Sequence, residues 1–174
     1  AVILEAKEST TPIGILAHKT RSDTLQHANL LNMGHTYNKT KDDDRIYIKM
    51  NGRKLYTYAL MHVPQLVKDT LDKIDLPLSS IKKVLIHQAN AKMDDAMLLR
   101  LFKLYGLKAT DIPEDIMPMT ISELGNTSVA TVPVLYDMVM RGEKPGHSIN
   151  TGDHVVFVSV GAGMNINSIV YRMP

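Results

Sequence analysis

Val84-Leu85-Ile86-His87-Gln88-Ala89-Asn90, residues 84–90, decides how the chain is read. A short, continuous apolar run, as in a strand buried on both faces, breaks at once into His, Gln, Ala and Asn. Directly downstream, Ala91 to Tyr105 keeps helical spacing, with Met93, Met97, Leu98, Leu101 and Leu104 on one side and Gly106 just past its end. This is the first part of a βαβ-like rhythm. Met117 and Met119 flank Pro118 in a weak strand, and Thr127 to Arg141 reads as a helix that stops at Gly142. His154 to Val160 is a strongly apolar strand and Asn165 to Tyr171 another, joined through Gly161-Ala162-Gly163. Helices alternating with strands predict an α/β fold, with a mixed five-stranded sheet and helices packed on it.

Upstream the pattern is looser. Val2 to Leu4 and Ile13 to Ala17 read as short strands on either side of a turn at Thr10, Thr11 and Pro12. Arg21 to Asp44 is mostly polar, ends in the acidic run Asp42-Asp43-Asp44, and is expected as a long surface excursion. Ile46 and Ile48 alternate with polar neighbours before Asn51, a residue suited to cap the helix that follows. Leu55, Ala59, Leu66, Val67, Leu71 and Ile74 keep that helix's spacing, and Pro64 is expected to bend or interrupt it.

The bulk numbers narrow the function classes. With 174 residues, 44% of them hydrophobic and 22% charged, the chain suits one globular domain with a sizeable core. It has no Cys and no Trp, which excludes disulfides, thiolate metal sites and a nucleophilic thiol within these residues. A net charge of +2 is too small to argue for nucleic acid, which demands a clustered basic face. No apolar run is long enough to span a bilayer, so a cytoplasmic location without membrane contact is expected. The remaining histidines show no spacing with carboxylates that suggests a metal, and the 11 Met residues suit adaptable core filling. The chain opens directly into an apolar run with no initiator Met, which reads as a cut inside a longer protein.

Three segments fall where α/β sheets collect chemistry, at the ends of strands and the starts of helices. These are His87-Gln88-Ala89-Asn90, Gly125-Asn126-Thr127-Ser128, and Gly161-Ala162-Gly163. Singly, each has a plain reading. A histidine after a strand is more often packed than catalytic, Asn126 suits a helix N-cap, and the glycines suit a tight hairpin. As an ordered set of three they resemble the C-terminal half of the β-ketoacyl-acyl carrier protein synthase III family, of thiolase fold. Ala1 to Glu8 resembles the strand closing that family's N-terminal half, and Met50-Asn51-Gly52 the start of its long helix. On this resemblance, residues 1–8 end a truncated N-terminal half and residues 9–174 form the C-terminal thiolase-like domain.

The resemblance implies a decarboxylative condensation in which a Cys, absent here, takes an acyl group from acyl-CoA, and malonyl-acyl carrier protein loses carbon dioxide and attacks it. It assigns His87 and Asn126 to the family's catalytic His and Asn, and the backbone N–H of Ala162 to an oxyanion. The chemistry suits them: a neutral imidazole N–H and a carboxamide can both donate to an enolate without bringing a full charge. Asn90, Gly161 and Gly163 fall at substrate-binding positions. Lys92 falls where members commonly show an Arg facing the carrier protein, and with Lys82, Lys83, Arg100 and Lys103 it suggests a basic docking face. The implied partners are acyl carrier protein, acyl-CoA and, at full length, a second copy of the chain; no cofactor or metal is implied. A related synthase of specialised lipids or polyketides, and a non-catalytic thiolase-fold module that binds a carrier protein or subunit, are the other two readings. After Gly163 the chain departs from the family, reading Met164-Asn165-Ile166-Asn167 where many members carry an aromatic residue and a Trp-Gly pair.

Overall fold

Strand β4 (Ile81–Ile86) is the axis of a three-layer arrangement in the computed structural model, which describes residues 2–38, 40 and 44–174. Its side chains alternate between the two faces of the sheet, as the pleat requires. Val84 and Ile86 enter a large core on one face, and Leu85 enters a smaller core on the other. The sheet has four strands in the order β1 (Gly14–Ser22), β6 (Asn165–Arg172), β5 (His154–Gly161), β4. β4 and β5 are parallel, and the other two pairings are antiparallel. Helices α2 (Gly52–Asp72) and α3 (Ala91–Leu104) cover the first face, and α5 (Thr131–Met140) covers the second.

The caps explain where the long helices begin and stop. Asn51 accepts from the Lys54 N–H at 3.3 Å, and Asn90 from the Met93 N–H at 3.2 Å. Each satisfies one of the free donors of a helix start, worth about 1 kcal/mol. At the end of α3, Gly106 takes a φ of +75°. Its N–H bonds to the Lys103 carbonyl and that of Leu107 to the Phe102 carbonyl, which closes the helix end. Pro64 sits inside α2 without ending it. Ala59, Val63, Val67 and Leu71 are buried on that helix, and each fully buried Val or Leu contributes about 1.5–3 kcal/mol, enough to carry the helix past the lost donor.

Several expectations need correcting. The sheet is mixed, with helices packed on it, but has four strands rather than five. Met117-Pro118-Met119 runs beside the outer margin of β4 and makes no ladder. Val84 donates its N–H to the Ile116 carbonyl at 2.8 Å, and Pro118 has no N–H to continue the pattern. Val2-Ile3-Leu4 is exposed and pairs with no strand, because the register of β1 begins only at Gly14. The polar stretch from Arg21 is not one loop. Arg21 and Ser22 finish β1, helix α1 (Thr24–His27) follows, and β2 (Leu31–Gly34) pairs with β3 (Tyr47–Met50) in a two-stranded ribbon. Across that ribbon Leu31 faces Met50 and Met33 faces Ile48, an apolar match that the surrounding polarity hides. Of the acidic run, Asp42 and Asp43 lie outside the described residues, as does Lys39. No described helix is long and apolar enough to cross a membrane.

Candidate active site

His87 leaves the end of β4 with its main chain still fixed, its N–H donating to the Val158 carbonyl of β5 at 2.9 Å. Because β4 and β5 are parallel, their carboxyl ends lie at the same edge of the sheet. His87 and the Gly161-Ala162-Gly163 loop therefore emerge side by side. The half-buried ring of His87 places Nδ1 3.2 Å from the carbonyl oxygen of Ser128. A carbonyl oxygen only accepts, so Nδ1 carries the hydrogen, and in the neutral ring Nε2 keeps a lone pair. Burial holds the ring's pKa below its usual 6.5, against the opposing pull of the Ser128 bond, so the ring is mainly neutral at pH 7. In this tautomer the neutral ring's single N–H faces the Ser128 carbonyl.

Asn126 is reached through α4 (Ile121–Leu124), a single turn that ends at Gly125 with φ +67°. Its Oδ1 accepts from the Ser128 N–H at 2.8 Å, and the NH₂ is the donor end of the amide. His87 and Asn126, 39 positions apart in sequence, are therefore anchored on the two backbone polar atoms of one residue. Ser128 has a φ of +55°, which no α-helix tolerates. For that reason the helix expected from Thr127 begins only at Thr131, and Asn126 is not its cap.

The glycine loop is closed by a side chain that sequence reasoning passed over. Asn165 donates its Nδ2 to the Ala162 carbonyl at 2.8 Å, and Asp23 donates its backbone N–H to the Met164 carbonyl at 2.9 Å. Gly163 has a φ of +129°, and a Cβ there would run into the Asn165 Nδ2, so any other residue is strained at this position. Ala162 is exposed, while Gly161 closes β5 opposite Asn165.

The remaining candidates divide. Asn90 is an exposed helix cap whose oxygen is occupied by the Met93 N–H. Lys92, Arg100 and Lys103 are exposed along α3. Lys83 is not part of any basic face. It is 0% exposed, with Nζ 2.6 Å from a carboxylate oxygen of Asp115, and Lys82 stands 3.6 Å from the same oxygen. Among the described residues no three His, Asp or Glu side chains gather as metal ligands. A hollow of about 300 Å³ between α3 and residues 109–117, lined by Asp95, Leu98, Ile112 and Met117, includes none of the site residues. Sequence reasoning also gave no role to Gln88 and Ser128. The bonds of Gln88 to Pro118 and of Ser128 to His87 span 30 and 41 positions, and no local pattern signals them.

The family model for the 3-oxoacyl-[acyl-carrier-protein (ACP)] synthase III C terminal matches residues 71–173. The β-ketoacyl-[acyl-carrier-protein] synthase III of Erythrobacter litoralis is 30% identical over 174 residues, covering 99% of this chain and 49% of that protein. The synthase III 2 of Lactiplantibacillus plantarum is 34% identical over 130 residues, 74% of this chain and 35% of that protein. The crystal structure of 3-oxoacyl-(acyl carrier protein) synthase III from Pseudomonas aeruginosa superposes with a TM-score of 0.77 at 24% identity, over 97% of this chain and 47% of that chain. Its counterpart from Thermus thermophilus gives 0.72 at 25% identity, over 93% and 47%. The chain thus spans about half the length of the relatives that it matches end to end.

Proposed function

Because the chain belongs to the 3-oxoacyl-[acyl-carrier-protein] synthase III C-terminal family, we propose that residues 9–174 act as the C-terminal domain of a condensing enzyme that joins an acyl-CoA primer to malonyl-acyl carrier protein at the start of fatty acid synthesis. In this reading the nucleophilic Cys lies outside these 174 residues, which contain none. His87 and Asn126 are the catalytic side chains. The observation that carries the reading is their common anchor on Ser128, which orients an imidazole and a carboxamide together at the strand ends.

The tautomer sets the order of proton movements. In the first half-reaction the thiol gives its proton to Nε2 of His87, the thiolate attacks the acyl-CoA carbonyl, and CoA leaves as its thiolate. The imidazolium so formed has an N–H on Nε2. In the second half-reaction the carbon–carbon bond to the malonyl carboxylate breaks, carbon dioxide leaves, and the electron pair enters an enolate. Nε2–H of His87 and the NH₂ of Asn126 donate to that enolate oxygen. The enolate carbon attacks the acyl-enzyme, the Cys sulfur departs, and it recovers the proton from Nε2. The N–H of Ala162 meets the oxyanion of the attacked thioester, and Asn90, Gly161 and Gly163 border the substrate. Lys92, with Arg100 and Lys103, presents positive charge to an acidic carrier protein. The reading needs no cofactor, and it places the enzyme in the cytoplasm as a homodimer.

The test is made in the complete enzyme that contains this chain. Asn126→Ala lowers malonyl-acyl carrier protein decarboxylation by about 10²–10³-fold and leaves acyl transfer less affected, whereas His87→Ala lowers both. Undiminished decarboxylation in Asn126→Ala removes the basis of the assignment.

A further inference from the structure

Gln88 directly follows His87, is 0% exposed, and directs every hydrogen bond of its amide to one short segment. Its Oε1 accepts from the Thr120 N–H at 2.7 Å, the Ile121 N–H at 3.0 Å and the Thr120 hydroxyl at 3.3 Å. Its Nε2 donates to the Pro118 carbonyl at 3.0 Å. Thr120 stands at the cap position of α4 yet caps nothing with its own side chain. The free donors at the start of that turn are met by Gln88, from just beyond the end of β4. A neutral amide suits the place, since it accepts from two N–H groups and donates to a carbonyl at once, which neither a carboxylate nor an ammonium can do.

Adjacent residues leaving a strand direct their side chains to opposite sides. Gln88 takes hold of the 118–128 excursion where it begins, at Pro118 to Ile121, and His87 takes hold of it where it ends, at Ser128. Asn126 lies between the two clamps, one tight turn beyond Ile121 and two residues before Ser128. We propose that Gln88 is a positioning residue, which fixes the excursion so that the Ser128 carbonyl selects the His87 tautomer and the Asn126 amide keeps its orientation. The inference rests on the roles given above to His87 and Asn126, and its test is read by spectroscopy, so that it stands or falls apart from the decarboxylation assay.

The experiment follows Gln88→Ala and Gln88→Glu in the complete enzyme that contains this chain by nitrogen NMR of the His87 ring, the Asn126 side-chain amide and the Thr120 and Ile121 backbone amides. In Gln88→Ala, amide exchange at Thr120 and Ile121 rises roughly tenfold, as loss of a hydrogen bond implies. The His87 titration midpoint moves further down as the Ser128 bond loosens, and the Asn126 amide signals move toward free-amide values. Gln88→Glu keeps the acceptor for both N–H groups and retains the His87 and Asn126 signals more fully than Gln88→Ala, which separates positioning from mere packing. If Gln88→Ala does not fold, the Glu variant decides alone: intact His87 and Asn126 signals with a lost Pro118 bond support the proposal, and displaced signals with intact Thr120 and Ile121 amides overturn it. His87 and Asn126 resonances unchanged in a folded Gln88→Ala chain also overturn it. In the complete enzyme the same variant lowers kcat rather than raising KM, with partial recovery in Gln88→Glu.

Discussion

The Nδ1 atom of His87 and the carbonyl oxygen of Ser128 stand 3.2 Å apart, and this contact fixes which face of the imidazole is basic. Nitrogen NMR is expected to show the neutral ring protonated on Nδ1, titrating below the usual 6.5 because burial disfavours the cation. The sign for folding follows. Just below pH 6.5 the unfolded chain binds more protons at this residue than the folded one, so its contribution is present above 6.5 and is lost as pH falls through the lower folded value. Replacing His87 by Gln flattens that part of the stability profile; an unchanged slope contradicts the assignment.

Asp94 carries the opposite dependence. It is fully buried on α3, neither carboxylate oxygen finds a hydrogen-bond partner, and burial, with a smaller effect from the Asp95 charge, raises its pKa from 3.8 to about 7. The folded chain then holds a proton that the unfolded chain releases. Stability is fully present below about pH 4 and is lost as pH rises to about 7, by on the order of a few kcal/mol. Asp94→Asn removes this slope, and Asp94→Leu is expected to raise the denaturant midpoint at pH 8 more than at pH 5.

Lys83 and Asp115 form a pair whose halves are not equivalent. The lysine is 0% exposed and the aspartate side chain 46% exposed, and the lysine also bonds the Asp115 carbonyl. Losing the carboxylate strands a buried cation, while losing the ammonium leaves an anion that water can reach. Asp115→Asn should cost about 3–5 kcal/mol, and Lys83→Met far less. Equal losses in urea titrations would show that the lysine is solvated from another direction.

The glycine loop offers a double-mutant cycle. Asn165→Ala gives up one hydrogen bond, about 1 kcal/mol, and Gly163→Ala meets both the Asn165 side chain and an unfavourable φ, about 1–3 kcal/mol. The double variant relieves the collision, so its loss falls short of the sum of the two single losses. Strict additivity would place Asn165 away from Gly163.

The elements that were legible in the sequence are those whose signal is local. Val84 to Ile86 had to be a buried strand, Gly106 had to end α3, and β5 and β6 announced themselves by apolar runs on either side of three small residues. What stayed hidden depends on distant partners. Met117-Pro118-Met119 has strand composition, and only its lone bond through Ile116 to Val84 shows that the ladder cannot continue. The ribbon of β2 and β3 lies in a stretch whose polar composition masks one matched apolar face. At the site, the three motif words located His87, Asn126 and the glycine loop. The direction of the imidazole proton came only from Ser128, and the bracing of the excursion only from Gln88, because both reach across more than a helix's length of chain.

The margin of β4 has a consequence for how the molecule tolerates crowding. With Ile116 on the Val84 amide and a proline beside it, that flank is closed to any foreign strand seeking a template. The opposite flank, Gly14–Ser22, bears Lys19 and Arg21, held in ion pairs with Asp69 and Asp23, so an intruder there meets charged side chains instead. Apolar substitutions at these two positions would strip that charge away and leave the flank a route by which copies of this sheet could splice together.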